Sequence, residues 1–537
     1  MGMHERFVSA ITAGDAMELG RLVAIGGHAA EITVDVRMLQ LVRGSGGGSI
    51  GSHVKLRLGR RWVVGQIRTL RLSEADGDLV VGTLEFCGEG DDVEGELRNF
   101  RRGVTRLPLP GCALHGVSAD ELSRIFAPDG RPYVEIGDIA GAETQRACLT
   151  IDPLLGRHFA VLGSTGTGKS SATALILHRI RDAAPRGHVV MIDPHGEYAA
   201  SFSDSGAIFD AANLATPYWM MNLDEHAEVL LTSSGNERQV DRDVLARVLL
   251  AARAKHRAAD GMTRMTADTP TPYLLSDFGA ILQQEMGRLD KGGVGAAPYL
   301  RIKARMDEVK ADPRYAFMFS GMLVGDTMAD VLQRLLRLDK DGTPIAIVDL
   351  SGMPSEITGV IVALLGRLIF DHAMWSRGLD QRPVLLVCEE AHRYIPAEGP
   401  GPARAVLERI AKEGRKYGVA LGLVTQRPSD LAPGVLSQCG TIVAMRLNND
   451  RDQAHVRAAM PEGSGGLADA IPALRNREAV IVGEGAPLPI RVCFDPLDAD
   501  RLPASYDPVF SQAWAADGRD ERLRTERAVH RWRTQGR

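Results

Sequence analysis

Cysteine is scarce in this 537-residue chain, and the six present (Cys87, Cys112, Cys148, Cys388, Cys439 and Cys493) are scattered with no C-x-x-C pair. That excludes a zinc ribbon or a disulfide framework and fits a reducing cytoplasm. A basic surplus is missing too: 63 Lys and Arg against 68 Asp and Glu leave a formal charge of −5. Such a chain does not coat nucleic acid by bulk charge, although DNA held in a local basic channel stays open to it. The first residues, Met1-Gly2-Met3-His4-Glu5-Arg6-Phe7, lack the apolar core of a signal peptide. The longest apolar stretch, Ile357 to Phe370, is broken by Arg367 and falls short of a membrane span. A cytoplasmic protein without a membrane anchor is the expectation. There is no internal repeat and no long low-complexity tract.

What is present divides the chain. Its length calls for roughly two to four domains, and 45% hydrophobic with 24% charged residues is ordinary for a soluble globular protein. From about Glu18 to Arg106, short β-rich runs alternate with glycine: Ala30–Val34, His53–Leu56, Trp62–Ile67 and Leu79–Leu84. Period-two alternation with turn residues at this spacing reads as a small antiparallel barrel over residues 1–110, closed by the linker Leu107-Pro108-Leu109-Pro110-Gly111. Continuous apolar runs come later, at Val189–Asp193, Ile345–Asp349, Val384–Cys388, Val419–Thr425 and Thr441–Met445. Alternating with helical patterns, they indicate an α/β domain with a mainly parallel sheet covered on both faces. Its parts are expected at 111–224 and 341–500, around a helical insertion at 225–340 with helices near Asp241–Lys255, Leu275–Met286 and Tyr299–Glu308. The tail, 501–537, carries Arg519, Arg522, Arg524, Arg527, Arg531, Arg533 and Arg537. It reads as a solvated, partly helical arm or as an arm that docks on DNA or a partner.

One segment decides the class. Gly163-Ser164-Thr165-Gly166-Thr167-Gly168-Lys169-Ser170 is G-x-x-x-x-G-K-S, preceded by the apolar run His158–Leu162 and followed from Ser171 by a helical pattern. Strand, loop and helix in that order are what a phosphate-binding P-loop needs. Glycines let the backbone curl, so that amide N–H groups and the helix N-terminus face ATP or GTP phosphates. Lys169 would reach the β- and γ-phosphates and the Ser170 hydroxyl would ligate Mg²⁺.

A P-loop hydrolase also needs a carboxylate near Mg²⁺ and a group acting on water. Glu389 and Glu390 follow the run Val384–Cys388 at the strand end where ligands gather in such sheets. Glu389 suits the metal shell and Glu390 the attacking water. Asp193 ends another run and either joins the metal's outer shell or caps the turn before Gly196. Gln426 follows Thr425 at a strand end, as a γ-phosphate sensor or a simple strand-end hydrogen bond. Arg415 and Arg157 stand out as arginines of the kind that stabilise a transition state across a subunit boundary, while surface salt bridging is the default reading of each from chemistry alone.

Taken together, RHFAVLGSTGTGKS, MIDPHGEY, TPYWMMN, VDLSGMPSE, CEEAHRY, KEGRKYG and VTQRPSDL resemble the HerA-type ATPases of the HerA/FtsK group, from about Met17 to the chain's end. The P-loop by itself is generic; DPHGEY, EEAH and EGRKYG in this order are specific. The resemblance implies a RecA-like core, an N-terminal β-barrel and a homohexameric ring that moves double-stranded DNA with ATP and Mg²⁺. It implies that Arg415 is a trans-acting arginine finger, Arg157 a second boundary arginine and Gln426 the sensor. It also implies a nuclease or sirtuin-like effector partner, in DNA end processing or anti-phage defence. A nucleotide-gated platform that activates such a partner without processive translocation is the alternative. The loop Tyr394–Pro402, flanked by Arg393 and Arg404, is a candidate pore element or a plain surface loop.

Overall fold

Alternating short runs at the start of the chain close on themselves. The computed structural model describes residues 18–27, 29–43, 48–74, 77–128, 130–140, 142–287, 295–320, 325–338, 344–379, 382–461, 465–504, 509–515 and 521–534. Met1–Phe7, Met17, Arg519 and Arg537, named in the sequence reading, lie outside them.

The barrel strands are β1 (Glu18–Ile25), β2 (Ala29–Asp35), β3 (His53–Leu58), β4 (Arg61–Leu72), β5 (Leu79–Val93), β6 (Glu96–Arg102) and β7 (Ala113–Gly116). They run in the order β2-β1-β7-β3-β4-β5-β6, and β5 pairs back on β2 with Ile32 opposite Gly82 and Val34 opposite Val80. Six antiparallel strands therefore close, which removes their free edges, and β6 extends β5 outside the closure. Inward-facing Leu22, Ile32, Val54, Leu56, Ile67, Leu84 and Leu114 fill the interior. A boundary at residue 110 omits one strand: the chain passes the Leu107–Gly111 linker and returns as β7 between β1 and β3. Four residues carry too few alternating positions for the pattern to show it.

The barrel is tied to the helix that follows. Ser118 and Glu121 form a reciprocal capping box at the start of helix Ala119–Ile125. The Glu121 carboxylate also accepts from the Leu97 amide at 2.7 Å and from the Lys55 ammonium at 2.5 Å, with both side chains buried. Lys55 lies 4.3 Å from the Trp62 ring centre and donates to the Gly95 carbonyl.

The remaining strands, in chain order, are β8 (Tyr133–Ile139), β9 (Ala142–Thr150), β10 (Phe159–Leu162), β11 (Val189–Asp193), β12 (Gly206–Phe209) and β13 (Ile345–Asp349). β14 (Val384–Cys388), β15 (Val419–Thr425), β16 (Thr441–Met445), β17 (Glu478–Gly483) and β18 (Ile490–Phe494) complete them. The chain divides into two compact units. One comprises Met1–Gly187, Val387–Glu398 and Ile410–Asp498, the other His188–Leu386, Gly399–Arg409 and Ala499–Arg537.

In the first unit, β10 lies between β15 and β16, parallel to both, with Leu162 opposite Thr425 and Ala444. The sheet then continues through β17, β18, β8 and β9, all antiparallel. The sheet expected as mainly parallel is thus mixed. β8 alternates buried and exposed residues, because only one of its faces is covered, and it lacks the continuous apolar run of a doubly covered strand.

In the second unit, β11, β13 and β12 pair in parallel, with Asp193 opposite Asp349. The helical block carries Leu223–Leu230, Gly235–Arg253, Leu275–Met286, Ala297–Ala311 and Met328–Leu335. The apolar stretch read as too short to span a membrane is part of a 21-residue helix, Ser355–Trp375, long and apolar enough by length and composition. Most of it is buried within the protein. Its Arg367 grips the fully buried Glu225 through two contacts of 2.8 and 2.9 Å, so the charge that interrupts the run is satisfied inside the unit. The helix Glu521–Thr534 is exposed over nearly its whole surface.

Candidate nucleotide-hydrolysis site

The P-loop leaves β10 and enters the helix Lys169–Ala183. Its glycines have distinct reasons. A Cβ on Gly163 would sit 2.8 Å from the Met445 Cβ and 3.0 Å from the Thr167 Oγ1. Gly166 and Gly168 have φ of 76° and 99°, the left-handed region that other residues occupy at a cost. Thr167 is fully buried, donates its hydroxyl to the Ser164 carbonyl at 2.8 Å, and accepts the Arg477 amide on its own carbonyl. Lys169 is buried and donates to the same Ser164 carbonyl at 3.2 Å. The loop is a rigid cradle ending on a helix N-terminus, which favours an anion.

Beside it, β15 ends at Thr425, and the Gly163 amide donates to the Thr425 carbonyl at 3.3 Å. The Thr165 hydroxyl donates to Gln426 Oε1. Gln426, expected at a strand end, is therefore coupled to the loop itself. Glu389 and Glu390 are both buried, and Glu390 holds a left-handed backbone (φ 51°, ψ 45°). A non-glycine residue kept in that region marks a functional constraint. Glu390 Oε2 is buried without a hydrogen-bond partner among the described residues. It lies 3.1 Å from His392 Nδ1, close enough for electrostatic attraction but without hydrogen-bond alignment. Burial keeps the His392 imidazole below its ordinary pKa, although Glu390 pulls the other way, so the ring is neutral near pH 7.

Arg415 stands in the 3-10 turn Gly414–Tyr417. A Cβ on Gly414 would lie 2.6 Å from the Val419 carbonyl oxygen, and Gly418 ends the turn at φ 75°. The two glycines of EGRKYG thus force a turn that projects Arg415 outward. It is exposed, and its side chain makes no hydrogen bond or ion pair among the described residues. Arg157 follows the helix Ile151–Gly156 and pairs with Glu484.

Asp193 is a different case. It is fully buried, and its Oδ1 accepts the His195 and Gly196 amides at 3.2 and 2.9 Å while Oδ2 accepts Tyr198 at 2.9 Å. Burial raises its pKa, the Tyr198, His195 and Glu197 amides oppose this, and the cross-strand neighbour Asp349 adds to it. Those contacts organise the turn, as the capping reading of Asp193 expects. The Tyr394–Pro402 loop is pinned at its start: Tyr394 and Ile395 are buried, and the Ala397 amide donates to the Asp430 carbonyl.

Sequence reasoning missed three contributors. His158, read as part of the P-loop strand, precedes it with φ 57°. It accepts the Leu421 amide on Nδ1 and reaches the Ala411 carbonyl through Nε2. His392 and Thr425 were passed over although both sit inside quoted motifs. Their only signal was adjacency to Glu390 and Gln426.

A G-x-x-x-x-G-K-S loop after a parallel strand, with a glutamine at the end of the neighbouring β15 and an acidic pair at the end of β14, defines a P-loop ATPase. The family description "Helicase HerA, central domain" matches residues 134–369. The DNA double-strand break repair helicase HerA of Pyrococcus furiosus is 27% identical over 78% of this chain and 85% of its own length. A probable HerA of Methanocaldococcus jannaschii is 28% identical over 78% and 87%. Among solved structures, VirB4 of Thermoanaerobacter pseudethanolicus aligns with a TM-score of 0.49 at 14% identity, over 69% of this chain and 98% of its own. Residues 134–369 thus match the central domain of the HerA-type ATPases.

Proposed function

We propose that the chain is an ATP-driven double-stranded DNA translocase acting as a homohexameric ring. It works with a nuclease or sirtuin-like effector in DNA end processing or anti-phage defence. The observation that carries this reading is the exposed, unpartnered Arg415 on a glycine-forced turn, in a chain that also holds a P-loop, a buried acidic pair and a loop-coupled glutamine. An arginine so displayed suits a neighbouring subunit's nucleotide, and a ring is the closed arrangement that gives every site such a neighbour. The relatives named as DNA double-strand break repair helicases support DNA as the track.

In this reading Gly163 through Ser171 wrap the phosphates and Lys169 neutralises the β- and γ-oxygens. The residues fit Mg²⁺: Ser170 lies in the first turn of the helix and Glu389 is a buried carboxylate. Mg²⁺ at a nucleotide characteristically takes one or two protein ligands plus phosphate oxygens and water, where it offsets charge on the transferred group. Glu390 acts on the attacking water, its unpartnered Oε2 supplying the acceptor. Gln426 contacts the γ-phosphate. Arg415 and Arg157 stabilise the transition state from the subunit boundary.

Steady-state ATP hydrolysis with and without linear duplex DNA tests the proposal, beside Glu390→Gln. DNA stimulation that disappears in the variant supports the motor, and DNA binding should weaken with salt as counterions are released. Hydrolysis indifferent to DNA overturns translocation in favour of a partner-activating platform.

A further inference from the structure

The P-loop and the catalytic carboxylate are joined by protein contacts alone. Thr165 Oγ1 donates to Gln426 Oε1. Its neighbour Thr425 places Oγ1 2.9 Å from His392 Nδ1 and accepts the Arg427 amide at 3.0 Å. The same His392 Nδ1 lies 3.1 Å from Glu390 Oε2. Loop, sensor strand, histidine and carboxylate thus form an unbroken series within one compact unit.

We propose that His392 is a positioning residue for hydrolysis. Its Nδ1 edge ties Glu390 to the end of β15, so that the carboxylate acting on water is set by the same strand that carries the γ-phosphate sensor. The inference rests on the assignment of Glu390 and Gln426 above.

Three observations converge on it. Thr425 Oγ1 accepts the Arg427 amide, and the Nδ1–H tautomer of the neutral ring donates to the same oxygen while its N–H edge faces Glu390 Oε2 at 3.1 Å. Glu390 Oε2 is buried and has no aligned hydrogen-bond donor among the described residues, so its acceptor capacity is left for the attacking water. Glu390 itself sits in a left-handed backbone that its surroundings must enforce, and His392 starts that enforcement two residues on, inside the short turn Ala391–Arg393. A neutral ring here orients the carboxylate without neutralising it. Any shift of β15 when the sensor engages phosphate is passed to Glu390 through the Thr425 hydroxyl.

The test exploits which ring nitrogen is used. An asparagine amide reaches the Nδ1 position and a glutamine amide the Nε2 position. In the full-length protein with ATP, Mg²⁺ and duplex DNA, His392→Gln is expected to lower kcat about tenfold or more, the scale of a small misplacement of a reacting group. KM stays within about twofold in this expectation. His392→Asn recovers most of that kcat. Binding of a fluorescent ATP analogue, retained in both, shows that each variant folds. Equal kcat for the Asn and Gln variants, or a change in KM with kcat untouched, overturns the inference. Loss of hydrolysis in Glu390→Gln alongside unaffected His392 variants refutes His392 alone, whereas full activity in Glu390→Gln refutes the site assignment beneath it.

Discussion

The hydroxyl of Thr165 is hydrogen-bonded to the side-chain oxygen of Gln426, so the P-loop and the end of β15 meet at one polar contact. A glutamine amide has one oxygen and one NH₂ group. With its oxygen on Thr165, Gln426 presents its NH₂ as the group available to an anion, which is the polarity a γ-phosphate requires.

Gln426→Glu reverses that polarity and sets a negative charge against the phosphate. Hydrolysis is expected to fall further in Gln426→Glu than in Gln426→Ala. The alanine variant should lose about 10²-fold in kcat, the scale of one lost transition-state donor. Nucleotide affinity in the alanine variant should change little. Steady-state kinetics with direct binding of a labelled nucleotide separates the two effects, and equal activity in both variants rejects the donor role.

Gly163 and Gly166 should respond differently to alanine. At Gly163 the new methyl meets the Met445 Cβ at 2.8 Å, where neither side can yield easily. At Gly166 there is open space, and the penalty is only that of a left-handed backbone, about 1 kcal/mol. Gly163→Ala should therefore weaken nucleotide binding more than Gly166→Ala by calorimetric titration. The reverse order would mean that the loop does not close as described.

Arg415→Ala is expected to lower kcat about 10³-fold without loss of nucleotide binding, the range of a trans arginine. Mixing gives the sharper check. In rings assembled from Arg415→Ala and Glu390→Gln subunits, some interfaces combine an intact Glu390 with an intact Arg415. Hydrolysis by the mixture above that of either variant alone supports a finger acting between subunits. A strictly additive residue of activity places Arg415 in its own subunit's structure instead.

Most of the core was legible because burial on both faces leaves continuous apolar runs: β11, β13, β14, β15 and β16 begin and end where those runs do. The P-loop was legible because its glycines are dictated by backbone shape. Short or one-sided strands were not. β7 and β12 have four residues each, and β8 alternates like a loop edge. Asp193 was ambiguous in sequence because turn capping and metal ligation both ask for a carboxylate after a strand. The three amides converging on it show the capping contacts, which the sequence alone does not reveal. His392 was invisible for another reason: its role depends on Thr425, 33 residues away in sequence.

The ion pair that ties the barrel to its following helix gives a pH-dependent expectation. Burial pushes the Glu121 carboxyl up, but the Lys55 ammonium and the Ser118 and Leu97 amides outweigh it and leave the group below its ordinary pKa. A carboxyl depressed in the folded state contributes stability in full above its unfolded value, and that contribution drains away as pH falls through the folded one. Glu121→Gln leaves Lys55 charged and buried without its partner, an arrangement that costs about 3–5 kcal/mol. By calorimetric unfolding, the gap in Tm between the parent and Glu121→Gln should be widest above pH 4.5 and narrow as pH falls below it. Lys55→Met combined with Glu121→Leu removes both charges together and should be less destabilised than Glu121→Gln, because no lone charge remains in the interior. A gap that stays constant with pH, or a double variant worse than the single one, would show that packing around Trp62 rather than the ion pair holds the barrel to the helix.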